Sequence, residues 1–377
     1  MKTKGAILWG LDEPWSVEEI DLGDPREGEV QVELAASGLC HSDHHLVTGD
    51  IALPSFPALG GHEGAGVISK VGPGVKGLAE GDHVVLFFIP ACGQCAQCST
   101  GHQNLCDLGM YLLTGQAISD GTHRVQARGK DVIPMCLLGT FSPYVTVNQF
   151  SVVKIEPYIS LEAAALVGCG VTTGWGSAVN IAEVRPVKTV IVAGVGGIGI
   201  NAVQAAAAAG AERIIAIDPV EFHRDQAKRF GATHTFASMA EAIEPVMEIT
   251  WGRMADKVML AMGVVHGEDI EPAMILTAKG GRCVVSFGLA SVTDMDTRLS
   301  LFQLSMLQKQ LCGTIFGGAN PRKDIPSLLS MYHSGKLNLD DLITKTYRLE
   351  EINDGYQDML EGRNIRGVIR YTDADRS

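Results

Sequence analysis

The chain has 377 residues, 46% of them hydrophobic, and a formal net charge of −13. That length and apolar content suit two or three folded domains rather than a disordered chain. The acidic balance argues against nucleic acid as a partner, and no apolar run reaches the roughly 18 residues of a membrane helix.

The segment Met1–Gly5 leads into a short strand-like stretch without a signal-peptide core, so a cytoplasmic protein is expected. A reducing compartment leaves the nine cysteines in need of a reason other than disulfides. Residues 5–90 are rich in short β-like runs (Glu29–Ala35, Gly64–Val71, His83–Ile89) separated by glycine and proline, which predicts an all-β module. Two groups with metal-ligand side chains punctuate it, Cys40-His41-Ser42-Asp43-His44-His45 and Gly60-Gly61-His62-Glu63-Gly64.

Cys92, Cys95, Cys98 and Cys106 follow in a C-x2-C-x2-C-x7-C pattern. Four thiolates at this spacing close a tetrahedral shell and leave no open position, the mark of a structural zinc. An iron–sulfur cluster is the rival with a similar ligand set, but the bacterial ferredoxin Cys-Pro is absent. Further along, Cys169 lies in Gly168-Cys169-Gly170. With Cys40 and His62 it supplies the two thiolates and one imidazole of a catalytic zinc, although spacing alone does not select these three. Cys136, Cys283, Cys312, His234 and His333 read as ordinary core residues.

From residue 171 to about 319 strands and helices alternate, with candidate strands Val190–Ala193, Ile214–Ile217, Lys257–Ala261, Arg282–Phe287 and Leu311–Ile315. This α/β pattern predicts a doubly wound parallel sheet. After its first strand comes Gly194-Val-Gly196-Gly197-Ile-Gly199, then an alanine-rich helix over 200–209, then a second strand ending in Asp218. Gly194 permits the tight turn, Gly196 the approach of a pyrophosphate, and Gly199 close packing of helix on strand. Asp218, 24 residues after Gly194, is placed to hold the adenosine ribose hydroxyls and to repel a 2′-phosphate, which favours NAD over NADP. The stretch 320–377 reads as helices and a last strand, Gly367–Tyr371.

Taken together, Gly38-Leu-Cys40-His-Ser42-Asp43, Gly61-His62-Glu63-Gly64, the four-cysteine loop, Gly168–Gly174, Gly194–Gly199 with Asp218, and Ile315–Gly318 resemble the zinc-dependent medium-chain dehydrogenases. The resemblance is to alcohol dehydrogenases that carry a catalytic and a structural zinc, and it covers nearly the whole chain. It implies a GroES-like β domain over 1–170 and 320–377, with the structural zinc lobe at 92–106, and a Rossmann domain over 171–319. It also implies roles. Cys40, His62 and Cys169 hold the catalytic zinc, a Lewis acid toward the alcohol. Ser42 hands the alcohol proton through the cofactor ribose to His45, Asp43 orients His62, and Glu63 sits behind the metal. His41 and Arg366 meet the cofactor phosphates, Thr173 the nicotinamide side, and Phe88 lines the substrate pocket, with Leu53, Met110, Leu138 and Val292 or their neighbours. The family also implies a homo-oligomer, dimer or tetramer, paired through strands near 300–318.

Within the family, glutathione-dependent formaldehyde dehydrogenases carry an arginine shortly after the fourth cysteine and an acidic pocket residue. Cys106–Met110 lacks the arginine, and Asp50–Pro54 lacks the acid unless Asp50 takes its place. The segment Gly5–Trp9 and the Cys40–His45 run are more similar to actinobacterial nicotinoprotein alcohol dehydrogenases, which retain NAD and pass electrons to an external acceptor. The alternatives are a thiol-adduct formaldehyde dehydrogenase and a non-catalytic NAD- or zinc-binding protein of the same fold. A polyol dehydrogenase fits less well, because those enzymes replace the cysteine at position 169 with an acid.

Overall fold

The computed structural model describes residues 1–286 and 296–376. Val292 and Phe287 lie outside the described residues. Two compact units are present, one of Met1–Cys169 together with the stretch from Asn320 onward, the other of Gly170–Ala319.

The first unit is built on two antiparallel-rich sheets. The larger contains, in spatial order, Val152–Lys154, His83–Leu86, Gly64–Val71, Glu29–Gly38, Arg366–Arg370 and Ile343–Tyr347, with Tyr144–Asn148 also paired to Glu29–Gly38. Val30, Val32, Leu34 and Ala36 are fully buried along the central strand, and such β-branched and apolar residues suit a strand covered by neighbours. The C-terminal strand pairs antiparallel with this strand, Val368 opposite Gly38, which draws the end of the chain into the same core. The smaller sheet runs Lys130–Asp131, Val125–Ala127, Ser16–Leu22, Lys2–Leu8, Ala58–Leu59 and Ile133–Pro134. The predicted run His83–Ile89 ends as a strand at Leu86, and Phe87–Ile89 stay buried beyond it.

One charged network is built into this core. Glu29, 2% exposed, accepts from Arg124 Nε and Nη2 at 2.8 and 2.9 Å and from Ser119 Oγ at 2.6 Å. Burial works against the Arg124 charge, yet Glu29 and Asp120 hold its proton more tightly than usual. A buried carboxylate stripped of its only fork-shaped partner is costly. Arg124→Met is therefore expected to destabilise the protein by about 3–5 kcal/mol. Urea unfolding followed by far-UV dichroism checks this, and the double variant with Glu29→Gln should recover much of the loss.

The second unit holds a six-stranded, all-parallel sheet in the order His234–Phe236, Arg213–Ile217, Thr189–Ala193, Ala255–Leu260, Thr277–Ser286 and Gln310–Thr314. Thr189–Ala193 is buried at every position, as a central strand covered on both faces requires. The helix Gly199–Ala208 follows it. The predicted strands all form, with ends shifted by a few residues. His234–Phe236 is a strand that its composition does not announce, because it is a short outer strand only partly buried. Among the described residues no helix is long and apolar enough to cross a membrane.

Candidate functional site

Sheet register in the first unit gathers three ligand-type residues that are far apart in sequence. Gly64 is paired with both Ser37 and Leu86. Cys40 lies three residues beyond Ser37, His62 two before Gly64, and Phe88 two beyond Leu86. Gly168 packs so tightly on this strand end that a Cβ there would stand 2.2 Å from the Leu86 carbonyl oxygen, which brings Cys169 in beside them. The ligand atoms of Cys40, His62 and Cys169 lie within 4.8 Å of one another, and all three residues are buried.

Hydrogen bonds fix this cluster from behind. Asp43 is fully buried, accepts from the Gly61 N–H at 2.7 Å, and places its other oxygen 3.0 Å from His62 Nδ1. With Nδ1 turned to Asp43, Nε2 is the nitrogen directed to the two sulfurs. The Glu63 carbonyl accepts from Ser37 Oγ at 3.0 Å and Thr140 Oγ1 at 3.2 Å, which pins the His62–Glu63 backbone. The Glu63 carboxylate pairs with Arg366, itself only 4% exposed. Arg366 therefore lies deep in the first unit beside Glu63. The Phe88 ring meets the His62 imidazole edge-on at 5.9 Å.

The electrostatics fit a cation. Burial disfavours a charged His62, yet Asp43 and Cys40 push its basicity well above the usual range. The Cys40 thiol is held well below the usual range by Cys169, His62 and Arg366, while Cys40 and burial push Cys169 well above it. A pair of buried thiols sharing one proton is the arrangement that a divalent ion replaces when both sulfurs become thiolates.

The helix His41–Thr48 starts at Cys40 and carries the remaining candidates of this unit. Ser42 Oγ lies 3.7 Å from Cys40 Sγ. The rings of His41 and His45 are 5.0 Å apart. His45 is 3% exposed, and its Nδ1 lies 2.9 Å from Asp50 Oδ2. Burial, then His45, lowers the basicity of His41, and the same two causes act on His44.

Cys92, Cys95, Cys98 and Cys106 form a second four-sulfur group. Cys92 and Cys98 sulfurs are 3.9 Å apart, as are those of Cys95 and Cys106. A tetrahedron with metal–sulfur bonds of about 2.3 Å has edges of about 3.8 Å, so the set fits zinc. Backbone N–H groups already point at these sulfurs: Cys95 N to Cys92 Sγ at 3.3 Å and Cys98 N to Cys95 Sγ at 3.4 Å. Donors from Asp107 and Cys98 lower the Cys95 thiol to about 7.

In the second unit the glycine turn is formed as its residues require. Gly194 has φ +83°, and a Cβ on Gly199 would stand 1.8 Å from the Gly194 carbonyl oxygen. No described atom lies within 4 Å of the place where a Cβ on Gly196 would project. Gly197 accepts through its carbonyl from Asn201 Nδ2 at 2.8 Å. Asp218 is 6% exposed and accepts from Val195 N and Val220 N, each at 2.9 Å, with His223 Nδ1 at 3.2 Å. Burial opposes its charge, but His223 and these two N–H groups hold the carboxyl below its ordinary value. Thr173 is buried in the helix Gly170–Gly176.

Several residues near the Cys40, His62 and Cys169 cluster escape a reading of motifs. Tyr356, buried in the helix Ile352–Leu360, donates to the Cys40 carbonyl at 3.4 Å. Its aromatic face stacks on Trp15. Cys136 is buried with φ +53°, and its thiol feels the charges of His62, Asp43 and Cys40. Asp50 was visible in the sequence only as a substitute pocket acid, whereas here it partners His45. Nothing in local spacing marks the first two.

Comparison with known proteins gives the family. Residues 26–157 match the alcohol dehydrogenase GroES-like domain, and residues 197–334 match the zinc-binding dehydrogenase family. A crystal structure of an alcohol dehydrogenase zinc-binding domain protein from Burkholderia ambifaria superposes with a TM-score of 0.92 at 31% identity, over 99% of each chain. The chain belongs to the zinc-binding alcohol dehydrogenase family of medium-chain dehydrogenases. Alcohol dehydrogenase B of Mycobacterium tuberculosis H37Rv is 57% identical over 100% of both chains. The NDMA-dependent alcohol dehydrogenase of Amycolatopsis methanolica is 50% identical, over 99% of this chain and 100% of that one.

Proposed function

We propose that this protein oxidises an alcohol to an aldehyde or ketone and passes the hydride to NAD. The carrying observation is the buried Cys40, His62 and Cys169 cluster, with Asp43 behind the imidazole. When bound there, zinc supplies Lewis acidity to the alcohol oxygen. The chain's own residues do the rest. Ser42, next to Cys40, would take the alcohol proton, and His45 on the same helix would carry it onward. Asp43 keeps His62 in one tautomer and one orientation. Phe88, packed on His62, excludes water from that side. His41 and Arg366 serve the cofactor phosphates and Thr173 the nicotinamide. Arg366 reaches this role while also neutralising Glu63.

The Gly194, Gly196, Gly197 and Gly199 turn takes the pyrophosphate at the start of a ten-residue helix. The buried Asp218 carboxylate favours NAD, since a 2′-phosphate would meet a second negative charge. Cys92, Cys95, Cys98 and Cys106 hold a structural zinc. The enzyme keeps its NAD and gives electrons to an external acceptor, a reading in line with the Amycolatopsis relative whose name makes it NDMA-dependent. The nine cysteines, none in a disulfide, suit the cytoplasm. The outermost strand Gln310–Thr314, next to the exposed Leu301, Phe302 and Met306, suits a homo-oligomer contact.

The test is an absorbance and metal measurement on the purified protein, before and after excess primary alcohol and with no cofactor added. Two zincs per chain and a new nicotinamide band near 340 nm are expected. Turnover only with added NAD removes retention of the cofactor, and no turnover with one zinc or none removes the oxidation itself.

A further inference from the structure

The helix His41–Thr48 ends at Gly49, which has φ +81°. That left-handed turn folds Asp50 back along the helix, and Ile51 N closes it by donating to the His45 carbonyl at 3.0 Å. Asp50 thus stands at a helix C-terminus, where the helix dipole disfavours an anion. It is nevertheless held as an anion, below the ordinary carboxylate range, by hydrogen bonds from Thr48 and His45. Its Oδ2 receives both, Thr48 Oγ1 at 2.7 Å and His45 Nδ1 at 2.9 Å. The His45 side chain is 4% exposed and that of Asp50 is 40% exposed, so the pair joins a buried ring to water.

We propose that Asp50 is a positioning residue for proton transfer, the charged partner that fixes His45 with its proton on Nδ1 and steadies the imidazolium. The inference rests on the alcohol-oxidation reading above, in which His45 ends the relay. With Nδ1 donating to Asp50, Nε2 is the nitrogen that accepts the alcohol proton. The proton then sits on His45 as imidazolium, balanced by Asp50, and is released to water before the next turnover. The hydride goes separately to NAD, so charge and electrons balance. A carboxylate held on the far nitrogen both selects the tautomer and stabilises the charge that forms. His41 and His44, ionisable neighbours on the same helix, oppose that charge, and Asp50 offsets them.

Asp50→Asn keeps the shape and a hydrogen-bond acceptor but removes the charge. In the full-length zinc-loaded protein, single-turnover reduction of NAD by alcohol is followed at 340 nm. Asp50→Asn is expected to slow this step by roughly 10- to 100-fold. The alcohol concentration for half-maximal rate should stay the same, and the solvent deuterium isotope effect should increase. Asp50→Glu should restore most of the rate. Zinc content of both variants should match the parent, since Asp50 belongs to neither group of ligand-type residues. An Asp50→Asn protein as fast as the parent overturns the inference. So does slowing that Asp50→Glu shares with an unchanged isotope effect, which marks a merely structural role. A parent protein that reduces no NAD fails at the earlier reading, a result these variants cannot produce.

Discussion

Cys169→Ala is expected to abolish alcohol oxidation while leaving the protein folded. The thiol is buried with Cys40 and His62 in a set of three ligand-type residues. Removing one of three ligands leaves two, too few to hold the ion in the dry pocket that the reaction needs. The rate of NAD reduction should fall by roughly 10³-fold or more, equivalent to about 4 kcal/mol of lost barrier lowering. Zinc per chain should fall from two to one, measured by plasma emission after gel filtration. Retention of both ions and of activity in this variant would show that the ligand set has been misassigned. Asp43→Asn is the companion change. It keeps the contact to Gly61 but weakens the grip on His62 Nδ1, and is expected to reduce metal affinity by about 10- to 100-fold.

Cys98→Ala acts on the four-cysteine group and threatens the fold of its lobe instead of the chemistry. Between Cys92 and Cys106 the buried residues are Cys98, Asn104 and Cys106, so no apolar core holds this segment. Its helix is four residues long, too short to persist by itself. On the proposed structural-zinc reading, the free energy of ion binding to four thiolates would be the main stabilisation of the lobe. Cys98→Ala is expected to lose that zinc, to open 92–106 to limited proteolysis, and to reduce the melting temperature by roughly 10 °C, at about 2–4 °C per kcal/mol. Mass spectrometry of a brief trypsin digest locates the cut. A protein that keeps two zincs and resists cleavage would remove the structural-metal reading.

What the sequence determined by itself is the part whose physics is local. The Gly194–Gly199 turn, the helix after it and Asp218 are legible because a tight turn, a close helix approach and an acid at a strand end each demand a residue type at a short, fixed spacing. The four-cysteine lobe is legible for the same reason, since a tetrahedral ion folds a short loop around itself. The strand and helix periods outline the parallel sheet of 170–319, apart from the short outer strand His234–Phe236.

The rest was decided by tertiary structure. Cys40, His62 and Cys169 are separated by 22 and 107 residues, and no spacing rule links them. Family resemblance picks them out, but what brings them together is the register in which Gly64 meets Ser37 on one side and Leu86 on the other. A one-residue slip would shift the start of the strand at Gly64, and His62 two residues before it, relative to Cys40. The burial of Arg366 against Glu63 depends on the C-terminal strand joining Glu29–Gly38, a pairing between the two ends of the chain. Tyr356 reaches Cys40 from the helix before that strand. Asp50 is only five residues from His45, yet its role follows from a left-handed turn at Gly49 that glycine permits but does not demand. Short-range chemistry is written into neighbouring residues, whereas a buried site assembled across sheet edges depends on pairing energies summed over the whole domain.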